Sequence, residues 1–370
     1  MQLTVKKYFL QLTGLRAIAA YMVFFTHVIP NKDFAKNNFA ENICSIGYLG
    51  VSVFFVLSGF LISYRYMDDF KFSLSWFKTY MVNRIARIYP MYFILTVATF
   101  FYNDYFHIFK MDPIIFFTNL TFLRGYFDDF LFTGISQGWS LTVEETFYLL
   151  APLLFLIILK KNSSLILSFS FILLGVLLVF ICKQFDFYHL MGNYKFMFYY
   201  TFFGRCIEFF LGIKLALFLK KQEDHNLQSG NNYKNTILGL VAMLFVIVLL
   251  AILKGYFHES YFLGGLILLL NNLLFPLAVY FFMKGLLTES SCIKDFLSTK
   301  IMVVLGKSSY VFYLIHIGFI SYFIGEHFRL NTFALFIVLN TISILFHYFI
   351  ESPLNNLVRK LAVKKEQLIN

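Results

Sequence analysis

Long apolar runs separated by short charged stretches dominate the chain. A helix needs about 20 apolar residues to cross a bilayer, and ten runs come close to that length or exceed it. They cover residues 9–30, 46–66, 87–106, 141–159, 164–182, 196–219, 236–254, 261–284, 301–325 and 332–350. The pattern therefore predicts an all-α integral membrane protein with about ten transmembrane helices.

The connections between the runs are short, with one exception at roughly 107–140. That loop contains an apolar segment, Pro113–Leu123, which is too short to span and is predicted to be re-entrant or interfacial. Residues 1–350 are predicted to form one polytopic transmembrane domain, and residues 351–370 a short basic cytoplasmic tail. Glu351-Ser352-Pro353 has the composition of a helix stop after the last run.

Composition narrows the class of protein further. Hydrophobic residues make up 59% of the 370 residues and charged residues only 14%, against about 45–50% and about 25% in soluble domains. This excludes a soluble enzyme, a disordered protein or a disulfide-stapled secreted module as the main interpretation. The four cysteines are far apart and fit no metal spacing, so we expect no metal site.

The formal net charge of +11 is explained by topology. Basic residues concentrate in alternate connections and in the tail, whereas the opposite connections carry acidic residues such as Asp104, Asp112, Asp128 and Asp129. The positive-inside rule then predicts that both termini are cytoplasmic. No nucleic-acid partner is needed to account for the charge.

The first apolar run contains two ionisable residues, Arg16 and His27. Eleven residues are about three helical turns, so both side chains lie on one face, about 16 Å apart along the axis. Ionisable residues inside a membrane are costly and tend to mark function. Separately, Arg16 could snorkel and His27 could bond a backbone carbonyl, but as a pair on one face they favour a functional site.

The fourth run begins with Trp139-Ser140-Leu141-Thr142-Val143-Glu144-Glu145. In the predicted topology Glu144 lies at about the depth of His27, where a carboxylate could orient the imidazole and raise its basicity. Adjacent helical residues point about 100° apart, so one of the two carboxylates, Glu145 in preference, is expected to face water.

Arg84 and Arg87 lie at the predicted cytoplasmic end of the third run. Their i, i+3 spacing places them on one face, and paired guanidinium groups suit a phosphorylated ligand because arginine binds phosphate bidentately. Ordinary positive-inside anchoring would produce the same spacing.

Weaker signals lie in three other runs. Arg205 and Glu208 could pair with each other. His316, predicted at mid-span in the ninth run, could line a cavity or make a helix contact. Ser58 precedes Gly59 and indicates small-residue helix packing.

Taken together, these segments resemble membrane acyltransferase family 3, the bacterial polysaccharide O-acetyltransferases. The resemblance covers nearly the whole chain, and its six pieces occur in order. They are Leu15-Arg16-Ala17 through His27; Phe54 to Phe60; Arg84 to Pro90; Trp139 to Tyr148; Arg205 to Phe209; and Tyr313 to His316.

The resemblance implies a multi-pass enzyme of the bacterial inner membrane that moves an acyl group, most often acetyl, from cytoplasmic acyl-CoA to an extracytoplasmic or lipid-linked glycan. It implies catalytic roles for His27 and Glu144, and donor binding by Arg16, Arg84 and Arg87. We expect acetyl-CoA as a substrate and no tightly bound cofactor. The further residues expected to line the cavity are Ser58, Trp139, Glu145, Tyr148, Arg205, Glu208, Tyr313 and His316.

Several alternatives stay open at this point. Direct attack on the thioester, an acyl-histidine intermediate and hand-off to a partner protein all fit the residues. The chain resembles the stand-alone form of the family, without an appended extracytoplasmic domain. A transporter or flippase of a lipid-linked saccharide is the rival class, although no internal repeat supports it. The acceptor, the acyl group and the oligomeric state are not specified by the residues.

Overall fold

A computed structural model describes residues 7–28, 39–108, 110–161, 164–185, 187–224, 233–255 and 261–369. These residues form α-helices with short 3₁₀ and π segments, and no strand occurs among them apart from one isolated bridge between Phe127 and Leu190. The helices are α1 (Leu10–Val28), α2 (Phe39–Ser45), α3 (Gly50–Tyr66), α4 (Leu74–Tyr105), α5 (Pro113–Leu120), α6 (Trp139–Lys161), α7 (Ser164–Cys182), α8 (Tyr194–Tyr200), α9 (Phe202–Asp224), α10 (Lys234–Gly255), α11 (Tyr261–Leu269), α12 (Phe275–Thr288), α13 (Cys292–Leu297), α14 (Lys300–Ile315), α15 (Phe319–His327), α16 (Thr332–Phe346) and α17 (Ser352–Ile369).

Each of the ten predicted runs falls on one or more of these helices, which confirms the all-helical class. Residues 29 and 30 of the first run lie outside the described residues. Six helices of the described chain are long and apolar enough to span a membrane, or seven if the bent pair α14 and α15 forms one span. The count of ten spans and the cytoplasmic termini stay predictions.

The chain divides into two compact units, Met1–Asp69 with Ile207–Ser309 and Phe70–Cys206 with Tyr310–Asn370. The first unit has an apolar core in which α1, α3, α10 and α12 pack. Glycines allow its helix backbones to approach closely: a Cβ on Gly59 would lie 2.2 Å from the Phe209 carbonyl oxygen, and one on Gly212 would lie 2.2 Å from that of Val56. The small-residue packing predicted around Ser58 is thereby confirmed.

The second unit is built around α4, which packs against α6 and α17. Helix α4 begins at Leu74 because Ser73 caps it, accepting a hydrogen bond from the Trp76 amide at 3.2 Å. The short apolar segment in the long loop forms α5, which starts at Pro113 with Asp112 as its cap.

Several boundaries differ from the predictions. The sixth run, predicted over 196–219, is divided into α8 and α9 at Thr201, whose backbone is extended. The third run starts at residue 74 and not at 87, because the polar first turns of α4 have no apolar pattern to reveal them. The ninth run is not continuous: α14 and α15 meet at an angle of 87°, at Gly318, whose φ of +104° only glycine adopts readily. The helix stop at Glu351-Ser352-Pro353 is wrong, since a π segment, His347–Glu351, leads directly into α17.

Candidate active site

The predicted pair Arg16 and His27 lies on α1 in the first unit. Arg16 is half-buried in the middle of the helix, and His27 lies exposed in its last turn. The pair therefore keeps its predicted spacing of about 16 Å along one helix. Residues 29–38, which follow directly, lie outside the described part of the chain.

Arg84 lies deep in the second unit and is only 4% exposed. It is ten residues inside α4, because that helix begins earlier than predicted. Its guanidinium group lies 5.8 Å from the centre of the Tyr148 ring, within cation–π range, and it interacts electrostatically with Glu145. Arg84 is therefore part of a polar cluster within the unit, whereas Arg87, one turn further, is half-buried.

Glu144 and Tyr148 form the centre of that cluster. The Tyr148 hydroxyl donates to Glu144 Oε1 at 2.5 Å, one helical turn away on α6. The main-chain oxygen of Tyr148 accepts a hydrogen bond of 3.0 Å from the Tyr80 hydroxyl on α4. Two helices thus hold one tyrosine whose ring faces an arginine and whose hydroxyl faces a carboxylate.

The angle of about 100° between adjacent helical residues predicted that Glu145 faces water. In the structure Glu145 also belongs to the polar cluster. Both carboxylates are half-buried, and both act electrostatically on Tyr310, the hydroxyl of which donates to the Ile88 carbonyl oxygen at 2.8 Å. Glu144 pairs with the tyrosine and Glu145 interacts with Arg84. Because neighbouring helical residues point about 100° apart, the two carboxylates contact different partners within the same cluster.

The start of α6 is joined to the end of α14 by a second network. Ser140 Oγ lies 2.8 Å from the Tyr313 hydroxyl, which donates to the Gln137 carbonyl oxygen at 3.1 Å. In return, Gln137 Nε2 donates to the carbonyl oxygens of Tyr313 and Leu314, at 2.7 and 2.8 Å. These carbonyls end a helix and need such donors, so one glutamine fixes the end of α14.

His316 follows immediately after that helix end, not at mid-span as predicted. It is 1% exposed, its Nδ1 lies 2.8 Å from the Tyr313 carbonyl oxygen, and its ring stacks on Phe312. These contacts favour the helix-contact role over a cavity-lining role.

The other predicted residues lie in both units. Trp139 packs edge-on against Tyr200 in the second unit, where Arg205 Nη1 donates to the Tyr199 carbonyl oxygen at 3.4 Å. Ser58 and Glu208 are buried in the first unit.

Two buried polar groups were missed by the sequence analysis. Arg124 is fully buried, and its guanidinium group donates to Asn119 Oδ1 at 2.8 Å and to the carbonyl oxygens of Thr133 and Ile135. His347 Nδ1 lies 2.7 Å from Glu351 Oε2, and both side chains are largely buried. Each had a signal in the sequence. Arg124 is a lone arginine in a largely apolar part of the long loop, and His347 precedes Glu351 by four residues.

The second unit therefore brings together Arg84, Glu144, Glu145, Tyr148 and Tyr313, whereas Arg16, His27, Ser58 and Glu208 belong to the first. Charged and hydroxyl groups inside an apolar helical unit are suited to binding a polar reactant and to proton transfer. The predicted pairing of Glu144 with His27 stays a prediction. Within the described residues, no group of three His, Cys, Asp or Glu side chains is arranged to hold a metal ion.

Comparison with known proteins gives one family match and several relatives. The family profile described as "Acyltransferase domain" matches residues 9–351. A Staphylococcus aureus (strain COL) protein, provisionally named an O-acetyltransferase, is 25% identical over 335 residues, which are 85% of this chain and 51% of that protein. A Bacillus subtilis protein, provisionally named a peptidoglycan O-acetyltransferase, is 26% identical over 337 residues, covering 84% of this chain and 48% of that protein.

A shorter match is more similar. The peptidoglycan O-acetyltransferase OatA of Listeria monocytogenes is 32% identical over 178 residues, which are 44% of this chain and 27% of that protein. The chain thus spans about half the length, or less, of the curated relatives that it matches. No solved structure matches it significantly.

Proposed function

The chain belongs to the acyltransferase 3 family, and we propose that it transfers an acyl group, acetyl by preference, from acyl-CoA to a hydroxyl group of a glycan. The observation that carries this proposal is the cluster of Arg84, Glu144, Glu145 and Tyr148 inside an apolar helical unit. Each ionisable group there costs several kcal/mol to bury, and structural packing alone would not need the set. An acyltransferase needs both a polar donor site and a proton-transfer group.

At the donor end, we assign the phosphates of acyl-CoA to Arg84 and Arg87, with Arg16 as a further contact. Arginine forms bidentate hydrogen bonds to phosphate oxygens. A charge interaction strengthens as water is excluded, so a phosphate that enters the cluster would interact strongly with Arg84, which is 4% exposed. Arg87 would then serve the more exposed phosphate.

At the reacting end, we assign His27 as the general base for the acceptor and Glu144 as the second catalytic group. His27 takes the proton of the acceptor hydroxyl, whose oxygen attacks the thioester carbonyl. The C–O bond forms, the C–S bond breaks, and the imidazolium returns the proton to the CoA thiolate. At the end of the reaction the acceptor carries the acyl group as an ester and CoA is a free thiol. The reaction therefore needs no further reactant.

The relatives suggest where the acceptor lies. Two of them are named for peptidoglycan O-acetylation, and the basic connections predict that the long loop is external. We therefore place the protein in the bacterial cytoplasmic membrane, with acyl-CoA on the cytoplasmic side and a cell-surface or lipid-linked glycan on the other.

The direct test uses the purified protein in proteoliposomes with acetyl-CoA and an N-acetylglucosamine trisaccharide, and follows the release of CoA thiol. His27→Ala should abolish release, while the matched His327→Ala, at the end of α15, should leave it unchanged. Near-normal release by His27→Ala would remove His27 from the catalytic role.

The donor assignment has a separate test. Arg87→Ala should raise the KM for acetyl-CoA, and so should Arg84→Lys, which keeps the charge but loses bidentate geometry. Arg65→Ala is the matched control because Arg65 is an exposed arginine at the end of α3. An unchanged KM in both site variants would mean that these arginines do not bind the donor and serve only as positive-inside anchors.

A further inference from the structure

A cavity of about 790 Å³ lies within the second unit, and its lining does not include the residues of the polar cluster described above. It is bounded by the last turns of α4, by residues 128–136 of the long loop and by the break between α14 and α15. A volume in this range is typical of a small-molecule site. Neither the donor assignment nor the general-base assignment uses it.

The lining combines aromatic rings with oxygen-bearing side chains. Tyr102, Phe132, Phe319 and Tyr322 supply the rings, and Asp128 and Asp129 supply carboxylates. Phe132 and Tyr322 are 58% and 64% exposed, so their faces are available to a ligand. Flat apolar faces beside hydrogen-bond acceptors match a sugar ring, which has a C–H face and a rim of hydroxyl donors.

Asp128 and Asp129, which form the acidic wall of the cavity, are held in place by neighbouring side chains. His189 Nδ1 lies 2.9 and 3.0 Å from the two oxygens of Asp129, and Asn193 Nδ2 donates to Asp128 at 3.4 Å. The Met191 amide donates to the Tyr126 carbonyl oxygen at 2.8 Å, next to the bridge between Phe127 and Leu190.

The segment that provides this support is itself strained. Tyr188, His189 and Met191 have positive φ angles of 49°, 46° and 58°, each of which costs of order 1 kcal/mol or more. Such strain persists only where surrounding structure enforces it, and it is concentrated at binding sites. The buried guanidinium group of Arg124 fixes the other side of the wall through the Thr133 carbonyl oxygen.

The cavity is connected to the polar cluster through one short stretch of chain. Ser136 lines the cavity, Gln137 caps α14, and α6 begins at Trp139 and reaches Glu144 after five residues. Five helical residues rise about 8 Å. A sugar of a few rings is long enough to extend from the cavity toward Glu144.

Resting on the proposed function, we propose that this cavity binds the acceptor saccharide and selects a ring without negative charge. Among the described lining residues none is Lys or Arg, while two are carboxylates. The His189 ring can neutralise at most one of them. Burial, with the neighbouring Asp129, raises the pKa of Asp128, so an incoming anion would meet a site that already resists negative charge. Uronic acids and phosphate-bearing glycans are therefore disfavoured, and neutral hexoses or N-acetylhexosamines are accepted.

The test measures binding directly, so it does not depend on turnover. Purified protein in detergent is titrated with a neutral N-acetylglucosamine trisaccharide and with a galacturonic acid trisaccharide, using saturation-transfer NMR. The neutral probe should bind the wild type and the anionic probe should not. Tyr322→Ala and Phe319→Ala should each weaken the neutral probe about tenfold, the loss expected for one stacking face.

Two further variants make the result specific. Phe323→Ala removes the aromatic ring next to Tyr322 that packs on His327 and does not line the cavity, so it should bind the neutral probe normally. Asp128→Asn combined with Asp129→Asn should bring the affinity for the anionic probe to within a few-fold of that for the neutral one.

The outcomes separate this inference from the proposed function. If the neutral probe does not bind, if it binds equally to Tyr322→Ala and wild type, or if added phospholipid displaces it from the site, the cavity is not the acceptor site, whatever the rate of CoA release. If the probe binds as described but CoA thiol is never released, the cavity assignment stands and the acyl-transfer proposal fails.

Discussion

Replacing Tyr148 with phenylalanine separates the two interactions that this side chain makes. The ring stays, and with it the contact with the Arg84 guanidinium group at 5.8 Å. The hydroxyl, which donates to Glu144 at 2.5 Å, is removed. The hydrogen bond from Tyr80 is unaffected, because it ends on the main-chain oxygen of Tyr148.

The size of the effect follows from the charge on the acceptor. A hydrogen bond to a charged group contributes about 1.5–3 kcal/mol. If that energy holds Glu144 in its reactive orientation, losing it slows the chemical step about 10- to 100-fold. Stability should change less, because Glu144 is half-buried and water can replace the lost donor.

The assay is CoA thiol release at saturating acetyl-CoA, with thermal unfolding measured in parallel. Tyr126→Phe is the matched control: its hydroxyl lies 2.5 Å from Thr146 Oγ1, also on α6, and no carboxylate among the described residues bonds to it. Tyr148→Phe should lower kcat by at least tenfold, and Tyr126→Phe by less than about twofold.

A double-variant cycle completes the test. Glu144→Gln should lower kcat by itself, and adding Tyr148→Phe should lower it little further, because the two side chains act as one unit. Additive losses, or a normal kcat for Tyr148→Phe, would refute the claim that this hydrogen bond orients Glu144.

Three further predictions concern stability. Gly318→Ala should lower stability by about 1–3 kcal/mol, since φ of +104° with ψ of −165° is almost exclusive to glycine; an unchanged Tm would mean that the break does not need this conformation. Gly59→Ala should cost about 1–3 kcal/mol by overpacking against Phe209, whereas Gly264→Ala, with nothing within 4 Å, should not; equal Tm values would contradict the close approach of α3 and α9. Burial raises the pKa of Glu289, but hydrogen bonds from Thr236 and Asn235 outweigh it and hold the pKa below its usual value. The stabilisation is therefore present above the unfolded pKa of about 4.3 and is lost as pH falls through the lower folded pKa. The Tm should drop between about pH 5 and about pH 3 in the wild type and less in Glu289→Gln, and equal drops would show that this carboxylate is not responsible.

The long apolar runs predicted the helices well because a helix that faces lipid is apolar along its whole length. They failed where structure depends on distant partners. The break after Ile315 is hidden in an apolar run, since it is created by Gly318 and by Gln137, which is distant in the sequence and caps α14. The continuation through Pro353 was missed because a proline in the first turn of a helix is tolerated as a start, and α17 begins at Ser352.

The site was predictable to the extent that charge is rare in this chain. Arg84, Glu144 and Glu145 stand out against apolar neighbours, and the structure brings them into one cluster. Their partners could not be read from spacing: the ring of Tyr148 faces Arg84 only because α4 extends to residue 74 and packs against α6. The buried Arg124 has its acceptors in main-chain carbonyls of the long loop, which no sequence pattern marks.

We propose that the polar groups of this helical protein transfer an acyl group from acyl-CoA to a sugar hydroxyl. The most direct measurement incubates the protein in proteoliposomes with radiolabelled acetyl-CoA and the N-acetylglucosamine trisaccharide, then counts the label on the recovered sugar. Acyl transfer should leave label on the sugar, matched by free CoA thiol, and His27→Ala should give neither. Transport of the sugar or of acetyl-CoA across the vesicle without label on the sugar would contradict it.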